Sequence, residues 1–99
     1  MKKVQSYTLS GITESDISEI YDYTDLQHGA SQAVKYLTGL DNAFSALVEQ
    51  PLIGKDRSEI RKGLKSFVFE KHTIFYRIMD DKIRIVRVLH SRCDLPSFL

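Results

Sequence analysis

Eight positions near the C-terminal end, Arg87 to Asp94 in the stretch RVLHSRCDL, bring together Arg87, His90, Arg92, Cys93 and Asp94. A metal-independent ribonuclease needs a base for the 2′-hydroxyl, an acid for the leaving 5′-oxygen and cations to hold the phosphate as charge builds. His90 is the candidate for proton transfer, with Arg61, Arg77, Arg87 and Arg92 as the phosphate clamp. The competing reading is structural: Arg84 and Arg87 alternate with Ile83, Ile85, Val86 and Val88 as the wet face of a strand. Arg84 fits that description, whereas Arg87 and His90 fit both.

Other chemistries are poorly served. Cys93 and His90 lie three apart beyond a strand with no third group to orient them, and a lone thiol is more often a small apolar filler than a nucleophile. His28, His72 and His90 fall on different elements without metal-ligand spacing, so no metal is expected. No glycine-rich loop leads from a strand into a helix, which removes nucleotide cofactors.

The chain that must position these residues has 99 amino acids, 42% hydrophobic and 27% charged, enough for one core and one domain spanning 1–99. Its net charge of +1 hides an asymmetry. Residues 1–50 carry 3 basic and 7 acidic side chains, and residues 51–99 carry 11 and 6, so the second half presents a basic surface. A single cysteine excludes an internal disulfide, and no apolar run reaches membrane-spanning length or forms the core of a leader peptide. The expectation is a cytoplasmic protein.

Alternation over 4–10 (VQSYTLS) predicts a strand. A helix follows, with Thr13 as N-cap, Asp16 at N3 in an acidic capping box, and Ile12 and Ile17 as a hydrophobic staple. After His28–Gly29 a second helix carries the stripe Ala33, Leu37, Leu40, Phe44 and Leu47, ended by Pro51. About three residues separate the helices, which makes them an αα-hairpin. Gly39, costly inside a helix, predicts a close approach by another element. Residues 51–65 read as a basic loop, and 66–70, 73–79 and 82–90 as three antiparallel strands, the middle one central. The fold class is α+β, with the hairpin packed on one face of the sheet.

Four runs taken together, QAVKYLTGLDNAFSAL, PLIGKDRSEIRKGL, HTIFYR and IRIVRVLHSRCD, resemble the ParE toxin family of the RelE/ParE superfamily across approximately residues 7–95. That resemblance implies a RelE-like β-α-α-β-β-β fold and the toxin component of a type II toxin–antitoxin system. It implies a protein that inhibits DNA gyrase by binding and is neutralised by a ParD-like antitoxin, in a toxin–antitoxin hetero-oligomer. It implies no cofactor and no sequence-specific contact with nucleic acid. The antitoxin is expected to lay an extended or helical segment across hairpin and sheet. On the same resemblance, Arg61, His90, Arg92, Asp94 and Phe98 are the target-binding candidates.

Two alternatives remain. The RelE-like relatives cleave messenger RNA at the ribosome, and here the active set would be Arg61, Arg77, Arg87 and His90; the missing tyrosine after Tyr76 weighs against it. The other is a degenerate copy that binds antitoxin without being toxic. It is motivated by Tyr21 where the family commonly has Trp, by Cys93 where Met is frequent, and by the apolar ending LPSFL.

Overall fold

The computed structural model describes residues 3–92, so the readings placed on Cys93, Asp94, Pro96, Phe98 and Leu99 fall outside the described residues. The elements are β1 (Ser6–Leu9), α1 (Gly11–His28), α2 (Ala30–Glu49), a 3-10 turn at Pro51–Ile53, β2 (Lys55–Asp56), β3 (Lys65–Phe69), β4 (His72–Met79) and β5 (Lys82–His90). The expected α+β order is present. The sheet is larger than expected, with five strands ordered β1-β5-β4-β3-β2 in place of three antiparallel strands and a separate N-terminal one. β1 runs parallel to β5, pairing Ser6 with Lys82 and Leu9 with Ile85, and the other neighbours are antiparallel. A parallel pairing between the two ends of a chain leaves no local signal, because loop length restricts only consecutive strands. β2, two residues inside the basic segment, is too short to show an alternation.

The α2 stripe forms the helix side of the core. Leu40, Phe44 and Leu47 pack with Ile74, Tyr76, Ile83, Ile85 and Val88, and Leu37 joins them half-buried. The opposite sheet face has its own small core of Leu64, Phe75 and Leu89, covered by Ile60 and Val86. The segment 57–64 is folded over that face, closed by the Arg57 N–H donating to the Leu64 carbonyl at 2.8 Å. Buried Tyr76 secures the start of this excursion: its hydroxyl donates to the Pro51 carbonyl at 2.7 Å and accepts from the Gly54 N–H at 3.0 Å.

Two glycines have positions that the backbone requires. Gly29 is the whole link between the helices, at φ 92°; its N–H donates to Asp25 and its carbonyl accepts from Ala33, closing one helix and opening the next. Gly39 meets the expected close approach, since a Cβ there would stand 2.7 Å from Phe69 Cζ.

α1 departs most from the sequence reading. Its N-cap is Ser10, whose Oγ accepts from the Thr13 N–H at 3.0 Å; Thr13 is not the cap. Ile12 is 58% exposed, so the predicted staple does not form. The buried positions are Thr13, Asp16, Ile20 and Thr24, an unusually polar set for a packed helix. The reason lies at the sheet edge. β1 covers β5 only as far as Ile85. Beyond that point α1 side chains at a spacing of three take over the hydrogen bonds that another strand would make. Ser10 Oγ donates to the Val86 carbonyl at 3.0 Å, Thr13 Oγ1 to the Ile85 carbonyl at 3.0 Å, and Asp16 Oδ2 accepts from the Val88 N–H at 3.0 Å.

Asp16 also receives Arg87 in a bidentate pair, Nε to Oδ2 and Nη2 to Oδ1, both at 2.9 Å. A β-bulge presents that arginine: Phe75 faces Arg87 while Tyr76 faces Ile85, which leaves Val86 as the extra residue. A second tie, from the Tyr7 hydroxyl to the Asp41 carboxylate, joins β1 to α2; this bond holds the Tyr7 pKa up at about 12.

The Asp16–Arg87 side chains are 8% and 18% exposed. Removing one member of a largely buried ion pair leaves the other uncompensated, at a cost of about 3–5 kcal/mol. Asp16→Ala, which also orphans the Val88 N–H, is therefore expected to lower the urea unfolding midpoint by that equivalent at unchanged m-value. Asp16→Asn, which keeps an acceptor, should lose less. A cost for Asp16→Ala below about 1 kcal/mol, the ordinary worth of an exposed pair, would contradict this account of the edge.

Candidate functional site

An open groove of about 870 Å³ separates the C-terminal half of α1 and the N-terminal half of α2 from the β3–β4 turn and the end of β5. Glu19 and Tyr23 line it from α1, Tyr36 from α2, and Glu70, His72 and His90 from the sheet. Tyr23 is 66% exposed, so the groove opens onto an apolar ring edge near the hairpin tip, where Leu26 and Val34 are exposed as well.

The bulge that turns Arg87 to Asp16 also sets the register beyond it, placing His90 directly across from His72. The two imidazoles meet edge to face with centroids 5.5 Å apart, and Tyr36 stands against His72 at the same centroid distance. The Tyr36 hydroxyl and His72 Nδ1 are hydrogen-bonded at 2.6 Å. Burial is the main cause that pushes the His72 pKa down, with the nearby His90 contributing in the same direction. Burial likewise raises the Tyr36 pKa, so both groups stay neutral. His90 is exposed, and its Nδ1 accepts from the Arg92 N–H at 3.1 Å, which leaves the neutral ring's proton on Nε2.

The ribonuclease candidates are divided between environments. His90 shares the helix side of the sheet with Val88 and His72. Arg77 alternates with Tyr76 onto the opposite face, where its Nη2 donates to the Lys62 carbonyl at 2.5 Å. Arg61 is exposed in the turn that covers that face. Arg87 is committed to Asp16 at the sheet edge. His90 and Arg87 thus line one groove, while Arg61 and Arg77 lie across the sheet from it. Among the described residues no group of three His, Cys, Asp or Glu side chains is placed to hold a metal ion.

Asp16, Tyr36 and His72 escaped the sequence reading as site residues. Asp16 sits inside a helix-capping pattern, and Tyr36 and His72 carry no local signal that marks them. The pairing of His72 with His90 depends on the bulge, since without it His72 would face Leu89.

Solved structures place this geometry in a class. The chain is similar to a protein of the chromosomal ParDE toxin–antitoxin system of P. aeruginosa at a TM-score of 0.76 and 18% identity, over 89% of this chain and 96% of that one. It is also similar to a chain of the toxin–antitoxin complex RelBE2 from Mycobacterium tuberculosis, at 0.55 and 20%, over 86% and 95%. The fold is that of RelE/ParE-like toxins.

Sequence comparison is more specific. The family model for the ParE toxin of the type II toxin–antitoxin system parDE matches residues 7–95. Toxin ParE1 of Mycobacterium tuberculosis is 38% identical over 94% of this chain and 96% of its own length. Toxin ParE of Escherichia coli is 30% identical over 95% and 92%. The chain belongs to the ParE toxin family of type II toxin–antitoxin systems.

A histidine kept neutral by burial binds its proton more weakly in the folded than in the unfolded chain. Stability is then complete above the ordinary imidazole value of about 6.5 and falls as the pH drops below it. Thermal unfolding from about pH 7.5 to about 5.5 should show this loss for the wild type and a smaller one for His72→Gln, which cannot titrate. Equal slopes for both proteins would remove His72 as the cause.

Proposed function

We propose that this protein is a toxin that arrests DNA gyrase by binding it, and that a ParD-like antitoxin neutralises it by seating an amphipathic segment in the groove between hairpin and sheet. The observation that carries this reading is the groove itself: it is open, rimmed by exposed Tyr23 and floored by apolar Ile20, Phe69 and Val88. Such a surface suits a segment that orders on binding, and one with apolar anchors at helical spacing would bury what the toxin leaves exposed. Family membership supports the toxin–antitoxin setting, and the named assemblies of the structural relatives, ParDE and RelBE2, agree with it.

For the target, the exposed end of β5 is the proposed contact, with His90 and Arg92 on the described part and Asp94 and Phe98 beyond it. Arg61 would meet gyrase only if the target wraps around the sheet edge, because it sits over the other face. No catalytic step is required. The geometry gives little support to a ribonuclease, since His90 and Arg77 are on opposite faces and the charge of Arg87 is offset by Asp16. No helix among the described residues is long and apolar enough to cross a membrane, and a gyrase target implies the cytoplasm.

The purified chain is expected to inhibit supercoiling by gyrase and to leave messenger intact on translating ribosomes. Arg92→Ala should raise the inhibitory concentration about tenfold, the worth of one charge-assisted contact of roughly 1.5 kcal/mol. Cleaved messenger with unaffected gyrase would overturn the proposal in favour of the ribonuclease. A folded protein inert in both assays would identify a copy that has lost toxicity.

A further inference from the structure

The sheet face opposite the groove carries an arrangement that neither antitoxin binding nor the β5 end uses. Arg77 on β4 and Arg84 on β5 are direct cross-strand partners, and Arg84 is in turn paired with Thr8 on β1. All three project from the outer face, because their neighbours Tyr76, Ile83, Ile85 and Leu9 belong to the helix-side core. Like charges placed directly opposite each other on a sheet destabilise it. Among the described residues no acidic side chain is paired with either arginine. Arg77 donates to the Lys62 carbonyl, and Arg84 Nη1 to Thr8 Oγ1 at 3.2 Å and the Leu9 carbonyl at 3.3 Å. These acceptors are uncharged, and among the described residues neither arginine meets a carboxylate within ion-pair distance. By contrast, Arg57 and Arg87 are each matched, to Glu59 and Asp16.

The tethers orient the guanidiniums without neutralising their charge, and most of the five N–H donors on each stay available. They also draw the two heads apart, Arg84 toward β1 and Arg77 toward the 57–64 turn, where Lys62 and Arg61 are exposed. One small anion would engage only part of such a row. A chain of regularly spaced anions would engage all of it.

We propose that this outer face is a binding site for the phosphodiester backbone of a nucleic acid, with Arg84 and Arg77 as its fixed centre and Lys62 and Arg61 as its rim. Contacts of this kind position a protein on a backbone and carry no sequence preference. The site lies across the sheet from the groove, so an occupied groove leaves it open. It does not rest on gyrase being the target, because binding is measured on the isolated toxin.

The test is fluorescence anisotropy of the purified full-length chain with a 24-base-pair DNA duplex and, separately, a 24-nucleotide single-stranded RNA, from 50 to 200 mM salt. At least one of the two should bind with an affinity that falls linearly in log salt, and the stronger arm identifies the preferred backbone. For duplex DNA, Arg77→Gln/Arg84→Gln should reduce the slope by about 2, close to one unit for each phosphate no longer neutralised. At 50 mM salt the same double variant should weaken binding more than tenfold. Each single variant should take away about half the slope change, which keeps the measurement possible if the double variant is unstable. Lys35→Gln/Lys71→Gln, the same charge removed from the groove side, should leave the slope unchanged. No salt-dependent binding in either arm would overturn the proposal. An equal loss in the two double variants would overturn it as well, since it would mean that net charge alone attracts the nucleic acid.

Discussion

The row of hydrogen bonds from α1 to the free edge of β5 is the constraint on which the remaining architecture depends. A strand edge left open exposes unpaired N–H and C=O groups and invites another chain. Here β1 pairs with the first half of β5, and Ser10, Thr13 and Asp16 complete the second half with side chains. This fixes α1 against the edge of the sheet, where Ile17 and Ile20 join the core that α2 builds over the face. The helix tolerates so polar a buried side because every buried group on it is bonded. The groove opens beside this anchor, with Asp16 and Arg87 in its wall.

The bulge at Val86 is the second device, and it explains a conflict in the sequence of β5. Strict alternation from Ile83 and Ile85 would direct Arg87 into the helix-side core and Val88 away from it. One extra residue reverses both outcomes: Val88 is buried in the core, and Arg87 is delivered to Asp16. It also brings His90 opposite His72. A single inserted residue thus connects the packing of the core, the charge at the edge and the wall of the groove.

Features with a local period were legible in the sequence. The α2 stripe, the three consecutive C-terminal strands, the close approach at Gly39 and the turn around Gly29 all follow from spacing that the structure respects. Those missed were non-local. The cap reading chose Thr13 because Thr, Asp and Ile fell at plausible intervals, yet the same residue types at a spacing of three serve equally well to pair with a distant strand. Nothing near Ser6 announces Lys82 as its partner, and no residue type marks Val86 as the extra one. The candidate site was half visible for the same reason: Arg87 and His90 were singled out by type, while Asp16, Tyr36 and His72, which determine their environment, act from other elements.

The partnership of β1 with β5 also has a consequence for synthesis. Ser6 pairs with Lys82, so the first strand to emerge from the ribosome must wait for the last. At about 5–20 residues per second that interval is roughly 4–15 s, during which β1 has no partner and Thr13 and Asp16 have no edge to satisfy them. Contacts of such separation also make folding slow relative to helical domains of this size. A nascent chain halted before β5 therefore lacks the strand that joins β1 to the rest of the sheet and the edge that α1 completes. The complete sheet, and the groove whose wall β5 supplies, thus arrive only with the last strand.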